Sequence, residues 1–184
     1  EEGLSPAIFQ SLTLAYPLGS SAGAMALNAR WQEVLGISLR PVPLEQATLA
    51  QQILQTTGHT GPLHIWLSSW LPTYLDPASM TVSLFGRGQP FNAVNYGQNT
   101  SSTAATQQQV QNQMLWADSI RWSPTGTSIY TQIERQLVND VAWLPLDQQQ
   151  AYHLVKKGIH GPAFDPRDLI PPDNWAGGCL STNC

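Results

Sequence analysis

The strongest constraint on this chain is a strand period that breaks into a helical period and then returns. Ser11 to Tyr16 (Ser-Leu-Thr-Leu-Ala-Tyr) alternates polar and apolar residues, as a half-buried strand does. Pro17 and Gly19 interrupt it, and Ser20 or Ser21 can cap a following helix. In that helix Ala24, Leu27, Trp31 and Leu35 recur at three- and four-residue spacing, which puts them on one face. Gly36 stands where a helix end favours a left-handed residue, and Ile37 to Val42 then alternates again. Strand, helix and strand in this order predict a parallel pair joined by a right-handed crossover. Leu44 to Leu54 reads as a second helix with Leu49 and Ile53 on one face. The region of Gly58 and Gly61 ends it, and Leu63 to Trp66 reads as a third, short strand. The expected class is α/β, with a βαβαβ start.

The texture then changes. Pro72, Pro77, Gly86, Gly88, Pro90 and Gly97 punctuate Leu71 to Gln98, with Met80 to Phe85 as a short helix or turn. A long irregular stretch inside a compact domain commonly has a binding role. Asn99 to Gln113, rich in Asn, Ser, Thr, Ala and Gln, reads as a mobile surface loop leading into a helix. Its Asn99-Thr100-Ser101 sequon matters only in a glycosylating host. Ser128 to Val141 predicts a helix with Ile129, Ile133, Leu137 and Val141 in one stripe. Trp143-Leu144-Pro145-Leu146 reads as a buried extended segment, and Tyr152 to Val155 with Ile159 as a weaker strand. Phe164 to Asp173 belongs to an extended tail over 162–184. No repeat or linker divides the chain, so residues 1–184 are expected to form one lobe.

Composition excludes several functions. Charged residues are 11% of the chain and the net charge is −4, with no cluster of Lys or Arg. Neither nucleic acid nor an anionic membrane surface is an expected partner, and no apolar run is long enough to span a bilayer. Polarity rests instead on Gln, Asn, Ser and Thr. The 7 Trp serve cores and also clefts for amphipathic ligands. No Gly-x-Ser-x-Gly, His-Glu-x-x-His, phosphate-binding loop or Cys-x-x-Cys occurs, and no cofactor is expected. His59, His64, His153 and His160 lack metal-ligand spacing, and His64 reads as a buried, hydrogen-bonded strand residue. Glu134 and Asp140 lie on different helix faces, a poor acid–base pair. Cys179 and Cys184 are either two thiols on a loose tail or a local disulfide of an oxidising compartment.

The order of these segments resembles the third domain of extracellular solute-binding proteins of the dipeptide/oligopeptide type (family 5). Leu27 to Leu39 (Leu-Asn-Ala-Arg-Trp-Gln-Glu-Val-Leu-Gly-Ile-Ser-Leu) looks like the family's helix that ends in Gly-Ile and enters a strand. Trp70 to Pro77 (Trp-Leu-Pro-Thr-Tyr-Leu-Asp-Pro) is similar to its Trp-x-x-Asp-Tyr-x-Asp-Pro segment. Phe91 to Tyr96 is like its Asn-rich turn ending in Tyr. Asn139 to Leu146 looks like its acidic turn and Ile-Pro-Leu strand, and Val155 to Gly161 like the segment before its C-terminal crossing. The likeness runs from Ser11 to Gly161.

The resemblance implies a single lobe of a periplasmic-binding-protein-like (type II) fold, with a long ligand-facing loop and a C-terminal helix plus strand. It also implies a missing N-terminal lobe, an ABC permease as partner, an extracytoplasmic location, and a small peptide or oligosaccharide ligand. The start at Glu1-Glu2, without initiator Met, signal peptide or lipid-anchor Cys, accords with a fragment. Candidate ligand-binding residues are Trp70, Thr73, Tyr74, Asp76, Asn92, Asn95 and Tyr96. Each has a plainer role beside it: a core Trp at the sheet edge, a packed loop anchor for Tyr74, a turn cap for Asp76, turn formation for the asparagines. In the peptide-binding relatives the position of Thr73 carries a carboxylate that pairs with the peptide's amino terminus. A hydroxyl offers an ammonium no charge-assisted bond, so a neutral ligand suits this cleft better. The rival readings are a secreted carbohydrate-active hydrolase using Asp76 with a second carboxylate, and a sensor domain built on the same fold.

Overall fold

The computed structural model describes residues 9, 11–74, 76–120, 123–148 and 157. Three parallel strands, β1 (Thr13–Pro17), β2 (Arg40–Leu44) and β3 (Ile65–Trp66), form a sheet of order β2-β1-β3. Helices α1 (Ser21–Leu35) and α2 (Gln46–Thr56) make the two crossovers. The expected βαβαβ unit is therefore present. β1 is central, and Thr13 to Tyr16 are all buried. β2 is an edge, and its Pro41 and Pro43, both exposed, lack the N–H that a further strand would need.

The helical part follows as α3 (Thr81–Phe85), α4 (Ala104–Ser119) and α5 (Pro124–Asn139). α5 begins one turn earlier than its apolar stripe, because Ser123 Oγ accepts from Gly126 N at 3.0 Å and Pro124 fills the first position. Two apolar clusters result. One gathers Leu14, Tyr16, Ala24 and Leu39 around the sheet. The other gathers Phe85, Tyr96, Met114, Ile133 and Leu137 among the helices. Each fully buried Leu or Ile contributes about 1.5–3 kcal/mol relative to exposure.

Four expectations are corrected. Leu35 is 60% exposed, and the buried face of α1 is Ala24 and Asn28 with Trp31 packed beside them. Asn28 Nδ2 donates to Leu39 O and its Oδ1 accepts from Leu39 N, both at 2.9 Å. A side-chain amide thus replaces a peptide partner at the entrance to β2. The Gln-rich stretch expected to be a mobile loop is mostly α4, with Gln107 and Gln111 buried. Gln107 Oε1 accepts from Gly97 N at 2.9 Å, and Gln111 Nε2 donates to Phe85 O at 2.8 Å and Tyr96 O at 2.6 Å. Gly97 has φ of 66°, and a Cβ there would lie 2.6 Å from Gln111 Oε1, so a side chain would be strained and would displace the buried Gln111 amide. The segment from Trp143 is not a buried strand, because Leu144 and Leu146 are each 54% exposed while Trp143 packs on the helical core. His64 is exposed, its Nδ1 lying 2.9 Å from Thr13 Oγ1 at the mouth of β3. The C-terminal strand of Tyr152 to Val155, the 162–184 tail and the Cys179–Cys184 pair lie outside the described residues.

Removing the Asn28 amide strands a buried N–H and a buried C=O together. Asn28→Ala should cost about 2–4 kcal/mol in chemical denaturation. A loss below about 1 kcal/mol would show that water replaces the amide at β2.

Candidate ligand face at the strand tips

In a sheet of order β2-β1-β3 the first crossover runs from β1 out to β2 and the second runs back past β1 to β3. The direction of winding thus reverses between β1 and β3, and in open α/β sheets the carboxyl ends of the strands at such a point are where ligands bind. The turn Leu18–Ser20 leaves that end of β1, and Leu67 to Tyr74 leaves that end of β3. Leu67 N still donates to Ala15 O at 2.8 Å, so the exit loop starts in register with the sheet.

Ser79, fully buried, folds this loop back. Its carbonyl accepts from Trp70 Nε1 at 2.9 Å and its Oγ accepts from Thr73 N at 3.0 Å. Trp70 is half-buried and meets Phe91 edge to face, with centroids 5.2 Å apart and planes at 64°. On the same loop Leu71 is 76% and Tyr74 48% exposed and Thr73 is exposed as well, while Phe91 is 45% exposed.

The other expected site residues are engaged by the chain itself. Asp76 Oδ1 accepts from Ala78 N at 2.9 Å and caps the turn Pro77–Ser79, the plainer of its two roles. Asn92 is fully buried. Its Oδ1 accepts from Tyr96 N at 2.9 Å, and its Nδ2 faces the carbonyls of Gly86 and Tyr96 at 3.2 and 3.0 Å. Asn95, at φ of 53°, clips the turn after α2: Oδ1 accepts from Gly58 N at 2.6 Å, and Nδ2 donates to Thr56 O and His59 O at 3.0 Å each. Tyr96 is buried, with its hydroxyl donating to Asp140 Oδ2 at 2.6 Å. Gln136 Nε2 donates to the other oxygen of Asp140 at 2.7 Å. Of the seven candidates, Trp70, Thr73 and Tyr74 come together on the exit loop of β3, whereas Asn92, Asn95 and Tyr96 build the scaffold behind Phe91. Phe91, which was not among the candidates, is the ring that Trp70 meets; an aromatic side chain between Pro90 and a turn-forming Asn, with no stripe to bury it in, was the signal for its exposure.

A surface depression lined by Thr131, Glu134, Arg135, Val138 and Asn139 lies along α5 rather than at the strand ends. Among the described residues no group of acidic, His or Cys side chains could hold a metal ion, and no helix is long and apolar enough to cross a membrane.

No family model matches the chain, and a search of curated proteins gives no match. Among solved structures the fold is similar to the unliganded open form of MppA, a periplasmic murein tripeptide-binding protein, with a TM-score of 0.65 at 17% identity. The match covers 86% of this chain and 28% of that one, so the chain spans little more than a quarter of the protein it resembles.

Burial, then the hydrogen bond to Asp140, then the carboxylate's charge all push the Tyr96 phenol above its ordinary range. A folded-state value above the unfolded one means stability that is complete below the unfolded pKa of about 10 and falls as pH rises past it. The stability advantage of the native chain over Tyr96→Phe should therefore shrink by about 1.4 kcal/mol per unit above about pH 10. Denaturation series from neutral to alkaline pH check this, and a pH-independent advantage would contradict it. The parallel sheet, its two crossover helices and the helical cluster beside them give this chain the α/β fold of a binding-protein-like lobe.

Proposed function

We propose that this chain is the C-terminal, ligand-facing lobe of an extracytoplasmic solute-binding protein, and that it binds rather than catalyses. The observation that carries the reading is the loop that leaves the carboxyl end of β3, where Trp70 meets the partly exposed Phe91 and Tyr74 stands exposed further along. The likeness to part of a periplasmic tripeptide-binding protein supports it. In the intact protein a second lobe closes over this face by a hinge motion, and the closed form docks on an ABC permease. Small peptides and oligosaccharides are the ligand classes that such a face accommodates. A single lobe supplies only part of a ligand's contacts, so the 184-residue chain alone binds weakly.

Calorimetric titration of the intact two-lobed protein with short peptides and with cello- and xylo-oligosaccharides tests the assignment. Binding of at least one class with Kd on the order of micromolar is expected, a free energy near −8 kcal/mol. Absence of binding for both classes would overturn it.

A further inference from the structure

We infer that the native fold and an N-linked glycan on Asn99 exclude each other, so that the Asn99-Thr100-Ser101 sequon accepts sugar only while the chain is unfolded. A glycan added there keeps the start of α4 from seating.

The chemistry asks for one proton of the side-chain amide. Transfer breaks the bond from sugar C1 to the diphosphate of a lipid-linked oligosaccharide, forms the Nδ2–C1 bond, and releases an Nδ2 proton together with the lipid diphosphate. The amide nitrogen carries two protons, and here both are engaged. Asn99 Nδ2 donates to Asn95 O at 2.9 Å and to Gln107 Oε1 at 2.8 Å. A carbon bonded to nitrogen lies about 1.5 Å from it. On either N–H line it would fall about 1.4 Å from the acceptor oxygen, far inside the roughly 3.5 Å of nonbonded contact.

Both acceptors are held by further bonds. Asn95 O also accepts from Gln98 N at 2.9 Å, and the Asn95 side chain is tied to the turn after α2. Gln107 is buried, its Oε1 also accepts from Gly97 N at 2.9 Å, and its Nε2 donates to Thr103 Oγ1 at 3.3 Å. Turning the Asn99 amide over gives no relief. Its Oδ1 accepts from Ser101 N at 3.0 Å and from the Ser101 hydroxyl, so an Nδ2 in that place would face donors. The half-buried side chain can carry a sugar only by swinging out into water, which gives up all four of these bonds. Ser101 O accepts from Ala104 N at 3.1 Å, so the turn that Asn99 fastens runs directly into α4.

The test is secretion of the intact protein from a glycosylating yeast, as the native sequence and as Asn28→Ala, which loosens the fold without touching the sequon. Mass spectrometry of the peptide around Asn99 reads its occupancy in the soluble folded fraction and in the intracellular aggregate, and circular dichroism with a thermal melt checks folding. Occupancy in the folded fraction is expected to be at most about a tenth of that in the aggregate. Asn28→Ala is expected to raise total occupancy about threefold or more, because a larger share of its chains is unfolded when the transferase meets them. Soluble native protein that carries a glycan on Asn99 and melts at the temperature of the bare form overturns the inference. So does Asn99 left bare in every fraction of both variants, since something other than the fold would then close the sequon.

Discussion

A long irregular segment can stay ordered only if its backbone N–H and C=O groups find partners without a ladder. Between β3 and α4 this chain meets that demand with buried polar side chains. Ser79 holds the exit loop, Asn92 and Gln111 serve the carbonyls of Phe85, Gly86 and Tyr96, and Gln107 receives Gly97 N. Each replaces a peptide partner. An unmade bond at any one leaves a buried group at a cost of about 1–3 kcal/mol. Amides suit these buried positions, since they carry donor and acceptor without a charge that would have to be desolvated.

The same device joins the two apolar clusters. The sheet cluster and the helical cluster share no buried residue. Between them stand the Asn95 clip, the Thr57–Pro90 bond, the Trp70–Ser79 bond and the Trp70–Phe91 ring contact. The aromatic face therefore lies on a polar seam and not on a packed wall, which is why its rings stay in part open to water. At the far end of α5 the chain closes in a Schellman turn, with Ala142 N on Leu137 O and Val141 N on Val138 O. Val141 takes the left-handed position there, at φ of 55° and 84% exposed, a conformation that β-branched residues rarely adopt.

The sheet and its crossovers were legible because apolar residues announce their period. Gly36 marked the end of α1, and the Ile129, Ile133 and Leu137 stripe marked α5. What escaped was helix and core made from polar residues. Asn28 sits on the buried face of α1, and Gln107 and Gln111 on that of α4. Hydrophobic periodicity passes over such positions, although Gln107, Val110, Gln111, Met114 and Ala117 keep helical spacing once amides are admitted to the core. The candidate site was half legible for the same reason. That Trp70, Thr73 and Tyr74 share one loop follows from their place after a strand. Nothing local separates Asn92, Asn95 and Tyr96 as scaffold from the same residues as ligand groups, because the difference lies in partners as far away as Thr56 and Asp140.

The proposed solute-contacting face is the loop beyond β3 that carries Trp70 and Tyr74, with Phe91 against it. Chemical-shift mapping on the intact protein, with the Trp70 indole assigned through Trp70→Phe, locates that place directly. Solute addition is predicted to shift Trp70, Tyr74 and Phe91 together while the indole N–H, bonded to Ser79 O, stays protected from exchange. Shifts confined to the α5 depression of Thr131, Glu134 and Arg135, with the Trp70 signal unmoved, would contradict it.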